Sequence, residues 1–171
     1  PCPTLDHPGT PYLYKDNQFD TPSGKGQLFA APWRAPAETP DADFPLVLCT
    51  VREVGHYSCR SMTGNCAALQ SLADEPGRVQ MNPADADKLG ITDGQLVWVR
   101  SRRGKVISRA SISERINAGA VYMTYQWWIG ACNELTQDNL DPISKTPETK
   151  YCAVQLEAIE DQRWAEDYAA S

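Results

Sequence analysis

The sequence has 171 residues, enough for one domain that buries most of its surface without help from metals or disulfides. Apolar residues make up 42% of it, with five Trp and seven Tyr, which excludes an intrinsically disordered chain. A net charge of −6 argues against a general nucleic-acid binder. The lack of any apolar run of about 18 residues excludes a membrane-spanning helix.

The first third of the chain predicts an arm, a hairpin and a buried strand. Residues 1–18 are rich in Pro and polar residues and indicate an entry arm. Residues 19–33 predict a short β-hairpin, because Pro-Ser-Gly-Lys-Gly is strong turn chemistry between two apolar runs. After a Pro-rich connection, the run FPLVLCTV from Phe44 predicts a buried strand rich in branched residues.

The middle of the chain predicts two short helices. NCAALQSLADEPG has apolar residues at helical spacing, which predicts a helix near 65–72. In RVQMNPADADKLG, Asn82 is a good N-cap, Pro83 suits the first helical position, and Gly90 suits the left-handed position after the last turn. This segment predicts a helix at about 83–89.

The rest of the chain predicts further strands and a final helix. Turns at Asp93-Gly94 and Arg103-Gly104 delimit strands at 95–101 and 105–113, and a turn at 117–119 precedes a strand at 120–125. KYCAVQLEAI predicts a last strand, and an acidic helix that looks cut short follows it. About seven short strands with frequent turn signals favour a β-barrel or sandwich over a parallel α/β sheet.

The six cysteines, at positions 2, 49, 59, 66, 132 and 152, form no CxxC motif. With only two His in the chain, a structural zinc site is not expected. A chain of this length needs no disulfide bonds for stability, so reduced cytosolic thiols are favoured. Cys49 and Cys152 lie in apolar strand patterns and are expected to be small buried hydrophobes. Cys59 stands beside Arg60, a cation able to lower its thiol pKa, although burial is the simpler expectation.

The segment 50–63 is the first candidate binding site, because a dense mixture of hydrogen-bonding groups follows a buried strand directly. Arg52 can bond phosphate or carboxylate in two places, hydroxyls are abundant, and backbone N–H groups near Gly55 suit an anion. The same residues also fit an ordinary polar loop that caps the helix near 65–72. His56 has no recognisable catalytic partner and is more typical of a hydrogen-bond donor.

The segment TYQWWIGACNELT, 124–136, is the second candidate. The amides of Gln126 and Asn133 can bond the edge of a flat heterocycle, and aromatic rings can stack on it. Trp127 and Trp128 are more typical of a core aromatic cluster. The basic hairpin VRSRRGKVISR fits a solvated surface better than a nucleic-acid stripe. Phosphate-loop, dinucleotide-fold and zinc-protease motifs are missing, so the residues indicate binding of a polar anion more than catalysis.

Three stretches together carry a family resemblance: FPLVLCTVREVGHYSCRSMTGN, MNPADADKLGITDGQLVWVRSRRGKV and INAGAVYMTYQWWIGACNELTQDNLDPISKTPETKYCAVQLE. They resemble the C-terminal molybdopterin-dinucleotide-binding domain of the dimethyl sulfoxide reductase superfamily, from about Phe19 to Glu157. QWWIGACNELT and TKYCAV are most similar to the formate dehydrogenases of the hydrogenlyase-linked type. The resemblance implies a mainly β fold, a double-psi β-barrel of the aspartate-decarboxylase-like kind with a few short helices.

The resemblance also implies a ligand, molybdenum bis(molybdopterin guanine dinucleotide). Arg52 would then meet charged oxygens, hydroxyl and backbone N–H groups would share the phosphates, and Glu53 and the amides would bond N–H edges of the rings. The positions that match the family's cofactor contacts are Thr50, Arg52, Glu53, His56, Tyr57, Ser58, Tyr125, Gln126, Asn133, Asn139, Lys150 and Tyr151.

The resemblance further implies a division of labour within a larger cytoplasmic enzyme that oxidises formate to carbon dioxide. The metal-ligating selenocysteine or cysteine, the catalytic His and Arg and the iron–sulfur cysteines would lie in upstream domains, with electron-transfer and hydrogenase subunits as partners. Residues 1–18 would be an interdomain arm, 19–157 the cofactor-binding barrel and 158–171 the start of a helix. The chain also lacks an initiator Met, so we expect a processed chain or a piece of a longer one that does not oxidise formate alone.

Three alternatives remain open. The same domain occurs in reductases of nitrate and other oxyanions, because substrate choice is made elsewhere in those enzymes. A free-standing barrel that binds a protein would need an apolar groove, which the polar segment 50–63 disfavours. A small self-processing decarboxylase would need a Gly-Ser pair, and the chain has none.

Overall fold

The computed structural model describes residues 4–73 and 75–171, and the chain divides into two compact units between Arg34 and Ala35. Within the first unit's described residues the chain forms one 3-10 turn, Lys15–Asn17, and no strand. The hairpin predicted at 19–33 is therefore wrong. Its turn exists, since the N–H of Phe19 donates to the carbonyl of Gly24 at 3.0 Å. The apolar residues that follow are exposed, and an isolated hairpin with no face to bury is marginal in water.

The second unit is a closed barrel of six strands in the order β1-β5-β2-β4-β3-β6. The pairs β1–β5 and β2–β4 are parallel, and the other four pairings are antiparallel. This barrel confirms the predicted mainly β fold class. The strands are β1 (Leu46–Val51), β2 (Arg78–Met81), β3 (Leu96–Arg100), β4 (Lys105–Ile112), β5 (Ala120–Thr124) and β6 (Cys152–Ala158).

Three short α-helices accompany the barrel: α1 (Ala67–Gln70), α2 (Pro83–Leu89) and α3 (Gln162–Ala169). Helix α2 has the predicted bounds and caps, since the side chain of Asn82 accepts from the N–H of Ala84 at 2.9 Å and Gly90 is left-handed at φ 64°. Two 3-10 turns, Thr63–Asn65 and Cys132–Leu135, lie in the loops. Across residues 4–73 and 75–171, none of the helices has the length and apolar character needed to cross a bilayer.

Strand β2 was not predicted from the sequence, in which residues 78–81 were considered only as the residues that precede the helix at 83–89. It has only four residues, and its outward Arg78 and Gln80 alternate with the buried Val79 and Met81. This alternation is the period of a half-buried strand. In the barrel, β2 joins β4 to β5 and thereby closes the sheet.

The core has two parts, one inside the barrel and one beneath α3. Fully buried side chains such as Leu48, Val79 and Val121 fill the interior. Leu96, Ile107 and Ala165 belong to the second cluster, which α3 covers. The two faces of β4 therefore serve one cluster each, because Val106 and Ala110 belong to the first cluster and Ile107 to the second.

The five described cysteines are free, and Cys2 lies outside the described residues. Cys152 is fully buried as expected, whereas Cys49 is only half-buried. Burial raises the pKa of Cys132 to about 12 and that of Cys152 to about 11, so both thiols stay protonated at neutral pH.

Glu38 fastens the Pro-rich segment before β1 to the barrel. Its carboxylate accepts two hydrogen bonds from Arg103, at 2.7 and 2.9 Å, and one from the backbone N–H of Ala153 at 2.6 Å. Arg103 also donates to the carbonyl of Leu135 at 2.9 Å. These contacts, the Arg103 hydrogen bond first, lower the pKa of Glu38 against the opposing effect of burial.

The segment after β5 packs against residues 76 and 77 through two glycines. A Cβ atom on Gly130 would lie 1.8 Å from the carbonyl oxygen of Pro76, and one on Gly77 would lie 1.9 Å from the ring of Trp127. Gly77 also has a φ of 79°, which L side chains rarely adopt. Only residues without a side chain allow this approach, so the path of 126–130 is fixed by backbone contact.

Glu38→Gln is expected to destabilise the chain by about 2 kcal/mol at neutral pH, because a charged hydrogen-bond acceptor is lost from a mostly buried site. Since the folded pKa is lowered, the contribution of Glu38 is complete above its ordinary value of 4.5 and disappears as the pH falls through the folded value. Urea unfolding at several pH values measures both effects. Glu157→Gln, which removes an exposed pair with Arg100, is the control and should cost less than about 1 kcal/mol.

Gly130→Ala is expected to cost about 3 kcal/mol, since the added methyl group would overlap a backbone carbonyl that cannot move without β2. Gly104→Ala is the matched control, because nothing lies within 4 Å of a Cβ at that position. Thermal unfolding of both variants provides the comparison. Equal stabilities would show that residues 126–130 are not held by this contact.

Candidate functional site

The two candidate segments begin at one rim of the barrel, and the residues just before β6 reach the same rim. Strands β1 and β5 run parallel, with Val51 opposite Thr124, so the residues after both strands emerge side by side. Strand β6 runs antiparallel to β1, with Leu48 opposite Cys152, so the residues just before β6 reach the same place. Loops at strand ends are where binding residues usually lie.

A cleft of about 220 Å³ opens at this rim. Five predicted site residues line it, together with one that was missed, Thr149. The lining is Thr50, Arg52, Tyr125, Asn133, Thr149 and Lys150. These six residues include two cations and no carboxylate, which is the charge pattern of an anion site.

Contacts between the lining residues hold the two cations in place. The Nε of Arg52 donates to the hydroxyl of Tyr125 at 2.8 Å, and the ammonium of Lys150 lies 5.6 Å from the centroid of the Tyr125 ring. Lys150 also donates to the carbonyl of Thr50 at 2.6 Å, and the Thr50 hydroxyl donates to the carbonyl of Thr149 at 2.7 Å. Among the described residues neither Arg52 nor Lys150 forms an ion pair. Their positive charges therefore remain for a ligand.

Glu53 and Gln126 lie outside the lining of this cleft and bond to each other. Gln126 is buried, and its amide donates to the Glu53 carboxylate at 2.7 Å. One carboxylate oxygen of Glu53 is thereby occupied. This bond crosses between the segments after β1 and β5.

His56, Tyr57 and Ser58 form the middle of the first segment, also outside the lining. The buried His56 ring has its Nδ1 3.0 Å from the Thr63 hydroxyl, whereas its Nε2 is buried and has no hydrogen-bond partner among the described residues. Tyr57 is exposed, and Ser58 is left-handed at φ 48°. A buried unpaired nitrogen is costly, so the Nε2 of His56 is a group that a further polar partner would stabilise.

Asn139 and Tyr151 are not brought into the cleft either. Asn139 is exposed and donates to Glu148 at 3.2 Å. The carbonyl of Tyr151 accepts from the buried Gln137 at 2.7 Å. Both residues hold the connection that leads to β6.

A second cleft of about 380 Å³ adjoins the first on the outer face of β1, β5 and β2. Arg52 lines both clefts, and Glu53 lines the second. Sequence reasoning missed the outward residues of this face, because they became visible as a row only once β2 was recognised as a strand. They are Arg78, Gln80, Tyr122 and Thr124.

The two tryptophans after β5 differ sharply in exposure. Trp127 is buried, as expected for a core aromatic residue, and its indole N–H donates to the Thr124 hydroxyl at 2.5 Å. Trp128 is 85% exposed, so the expectation of burial is wrong for it. The backbone N–H of Trp128 donates to Glu75 at 3.4 Å, whereas the Trp128 side chain points away from the core.

Cys59 is exposed, against the expectation of burial. The pKa of its thiol is lowered, first because the backbone N–H of Ser61 donates to it and then because the Ser61 hydroxyl does. The neighbouring Arg60 points elsewhere, to Gln126 and Glu75. Within the described residues, no cluster of three His, Cys, Asp or Glu side chains could hold a metal ion.

Comparison with known proteins identifies the family of this chain. The family model described as the molydopterin dinucleotide binding domain matches residues 46–153, a stretch that contains β1 to β5, both candidate segments and the start of β6. Acetylene hydratase from Pelobacter acetylenicus has a similar fold, with a TM-score of 0.64 at 19% identity over 86% of this chain and 25% of the other.

Curated relatives cover nearly the whole chain. Formate dehydrogenase H of Escherichia coli (strain K12) is 64% identical over 94% of the chain and 22% of that protein. The F420-dependent formate dehydrogenase subunit alpha of Methanocaldococcus jannaschii is 42% identical over 93% of the chain and 23% of that protein. The periplasmic nitrate reductase of Desulfovibrio desulfuricans is 32% identical over 91% of the chain and 22% of that protein.

The chain thus spans between a fifth and a quarter of the length of these relatives. The family match runs through the strands whose ends form the cleft, and it includes every one of the twelve predicted contact residues. The chain belongs to the family of molydopterin dinucleotide binding domains.

Proposed function

We propose that this chain is the domain of a molybdenum formate dehydrogenase that holds bis(molybdopterin guanine dinucleotide), with phosphate groups against Arg52 and Lys150. The observation that carries the proposal is the cleft at the meeting of β1, β5 and β6, where two cations converge that form no ion pair with any described residue. Guanidinium and ammonium groups are the side chains best suited to phosphate.

The free donors of the cleft match a doubly phosphorylated ligand. Only the Nε of Arg52 is engaged within the described residues, so both terminal nitrogens can donate in parallel to a phosphate. Lys150 uses one of its three donors for the carbonyl of Thr50. Asn133 lines the same cleft with an exposed side chain able to bond a ring edge.

Two further residues fit a ligand that spans the segments after β1 and β5. The unpaired Nε2 of His56 would be satisfied by a polar ligand group or a water that the ligand orders. Glu53 has one carboxylate oxygen on Gln126 and keeps the other for an N–H edge. For Tyr57, Ser58, Asn139 and Tyr151 the role as contacts rests on the family resemblance alone.

The size of the cleft supports a shared site. Sites that enclose a whole small molecule have about 300–1,000 Å³, and this cleft has about 220 Å³. It has room for a diphosphate or one ring, so the rest of each dinucleotide would extend into the adjoining cleft or against other domains of the enzyme. When bound, the molybdenum centre supplies the redox chemistry, and this chain's residues bind and orient the dinucleotides.

Formate is the favoured substrate of the parent enzyme, because identity is 64% and 42% to formate dehydrogenases and falls to 32% and 36% for nitrate reductases. A nitrate reductase is the second candidate, because the identity to nitrate reductases is lower but still 32% and 36%. The proposal includes upstream domains with the catalytic groups and an iron–sulfur cluster, a cytoplasmic location, and electron-transfer and hydrogenase subunits as partners.

Guanosine diphosphate (GDP) is expected to bind the 171-residue chain and shift backbone amide resonances within 50–63 and 124–139. Arg52→Gln should weaken this binding about tenfold, because a charge-assisted pair of hydrogen bonds to phosphate is lost. Two-dimensional NMR titration measures both, with inorganic pyrophosphate as a second probe for the phosphate part.

Arg100→Gln is the matched control for this titration. It removes the same charge from the same fold, but Arg100 pairs with Glu157 on β6 and lines neither cleft. Its affinity for GDP should equal that of the wild type. Shifts confined to other regions, or an equal loss in both variants, would contradict the proposed site.

The assignment to formate dehydrogenase predicts the residues encoded upstream of Pro1. A selenocysteine or cysteine followed by His is expected there, after an N-terminal iron–sulfur motif, because the resemblance to formate dehydrogenases implies these groups in upstream domains. Sequencing the gene upstream gives the answer. A different metal ligand at that position would favour another molybdenum enzyme.

A further inference from the structure

Arg60 connects the two segments of the cofactor site, although it lines neither cleft. It lies after β1, and its side chain is only 15% exposed. Its Nε donates to the carbonyl of Gln126 at 3.0 Å, and its Nη2 pairs with Glu75 at 2.5 Å. The guanidinium carbon lies 4.8 Å from the centroid of the Trp127 ring. One side chain thus holds three partners at or near the segment after β5.

Glu75 depends on Arg60 for charge compensation. The Oε1 of Glu75 accepts from Arg60 and from the backbone N–H of Trp128 at 3.4 Å, and its Oε2 is buried with no partner among the described residues. A carboxylate in this setting tolerates the loss of its cation poorly. The Arg60–Glu75 pair therefore fixes the backbone at 126–128, through the Gln126 carbonyl and the Trp128 N–H.

The backbone of Arg60 itself adopts a conformation that needs support. Its φ is 63°, and Ser58 two residues earlier is at 48°, which is the left-handed region that non-glycine residues seldom occupy. The N–H of Arg60 donates to the carbonyl of Tyr57 at 3.0 Å, and its own carbonyl accepts from Gly64 at 2.8 Å. Such conformations persist where the surroundings determine them, often at ligand sites.

Gln126 is the link from Arg60 to the ligand cleft. Arg60 holds its carbonyl, and Glu53 holds its amide. Gln126 directly follows Tyr125, which lines the cleft and accepts the hydrogen bond that orients Arg52. A shift of the backbone at Gln126 would move the Tyr125 hydroxyl and release Arg52.

We propose that Arg60 is a positioning residue of the dinucleotide site, which fixes Gln126 and so aligns Tyr125 and Arg52 for phosphate without touching the ligand. This inference rests on the proposed function, because it names what keeps the proposed anion site in shape. Two of the three guanidinium nitrogens of Arg60 are engaged within the protein, which favours positioning over direct contact with the ligand.

The test compares GDP binding by Arg60→Gln, Arg60→Lys and Arg109→Gln in the 171-residue chain. Arg60→Gln should bind about tenfold more weakly than the wild type, with changed amide resonances at 125–128 even before ligand is added. Arg60→Lys keeps the charge near Glu75 but lacks the Nε–H that holds Gln126, so it should not restore affinity. If Arg60→Gln does not fold, Arg60→Lys carries the same test.

Arg109→Gln is the matched control, since Arg109 also forms a paired contact with a glutamate, Glu166, at 2.8 and 3.0 Å, on the side of the barrel covered by α3. It loses the same charge and should bind GDP as the wild type does. Circular dichroism should match for all variants.

A double variant separates positioning from an independent contact. Because Arg60 acts through Arg52, adding Arg60→Gln to Arg52→Gln should weaken GDP binding little beyond Arg52→Gln alone. Unchanged affinity in both Arg60 single variants, or losses that add in full in the double variant, overturns the inference and leaves the proposed function standing. A wild-type chain that does not bind GDP overturns both.

Discussion

The site depends on the parallel pairing of β1 with β5. Parallel neighbours end at the same edge, so two segments far apart in sequence start within one strand spacing of each other, Arg52 after Val51 and Tyr125 after Thr124. The hydrogen bond between Arg52 and Tyr125 is a direct result of that register. Strand β6 adds Lys150 because it runs the other way and begins where β1 ends. With a register shift of one residue in β5, every side chain of that strand would face the opposite side of the sheet.

Local pairing of charges explains how an acidic chain presents a cationic cleft. The basic hairpin has five cations, and each has a partner close by: Glu157 for Arg100, Asp41 for Arg102, Glu38 for Arg103, the ring of Trp98 for Lys105 and Glu166 for Arg109. These cations are each compensated by a nearby group. Among the described residues, Arg52 and Lys150 bond only to neutral groups, so their field reaches the cleft. The net charge of −6 therefore does not describe the site.

Sequence patterns predicted the elements whose cause is local and failed where the cause is distant. Helix α2 was predicted with its bounds, because Asn82, Pro83 and Gly90 specify a helix by themselves. The hairpin at 19–33 was wrong, since a turn motif does not provide a surface to bury. Strand β2 was missed because four residues carry little pattern, and its identity comes from β4 and β5 on either side. The same holds for the site. Thr50, Arg52, Tyr125, Asn133 and Lys150 were predicted and do meet, whereas the roles of Arg60 and Thr149 depend on tertiary contacts that no spacing encodes.

The side of the site that packs against the rest of the protein is rigid, and the side that faces the cleft is open. Behind the cleft, Gly130 contacts the carbonyl of Pro76, Trp127 covers Gly77, and Arg60 joins Glu75 to Gln126, so the backbone after β5 has little freedom. On the open side, Arg52 keeps unused donors, and Trp128, three residues after Tyr125, is exposed. A site of this kind holds one side of a ligand in a fixed orientation. The other side of the ligand stays accessible to the surface of another domain. This arrangement supports the proposed sharing of the cofactor with other domains, because the chain spans less than a quarter of its relatives' length.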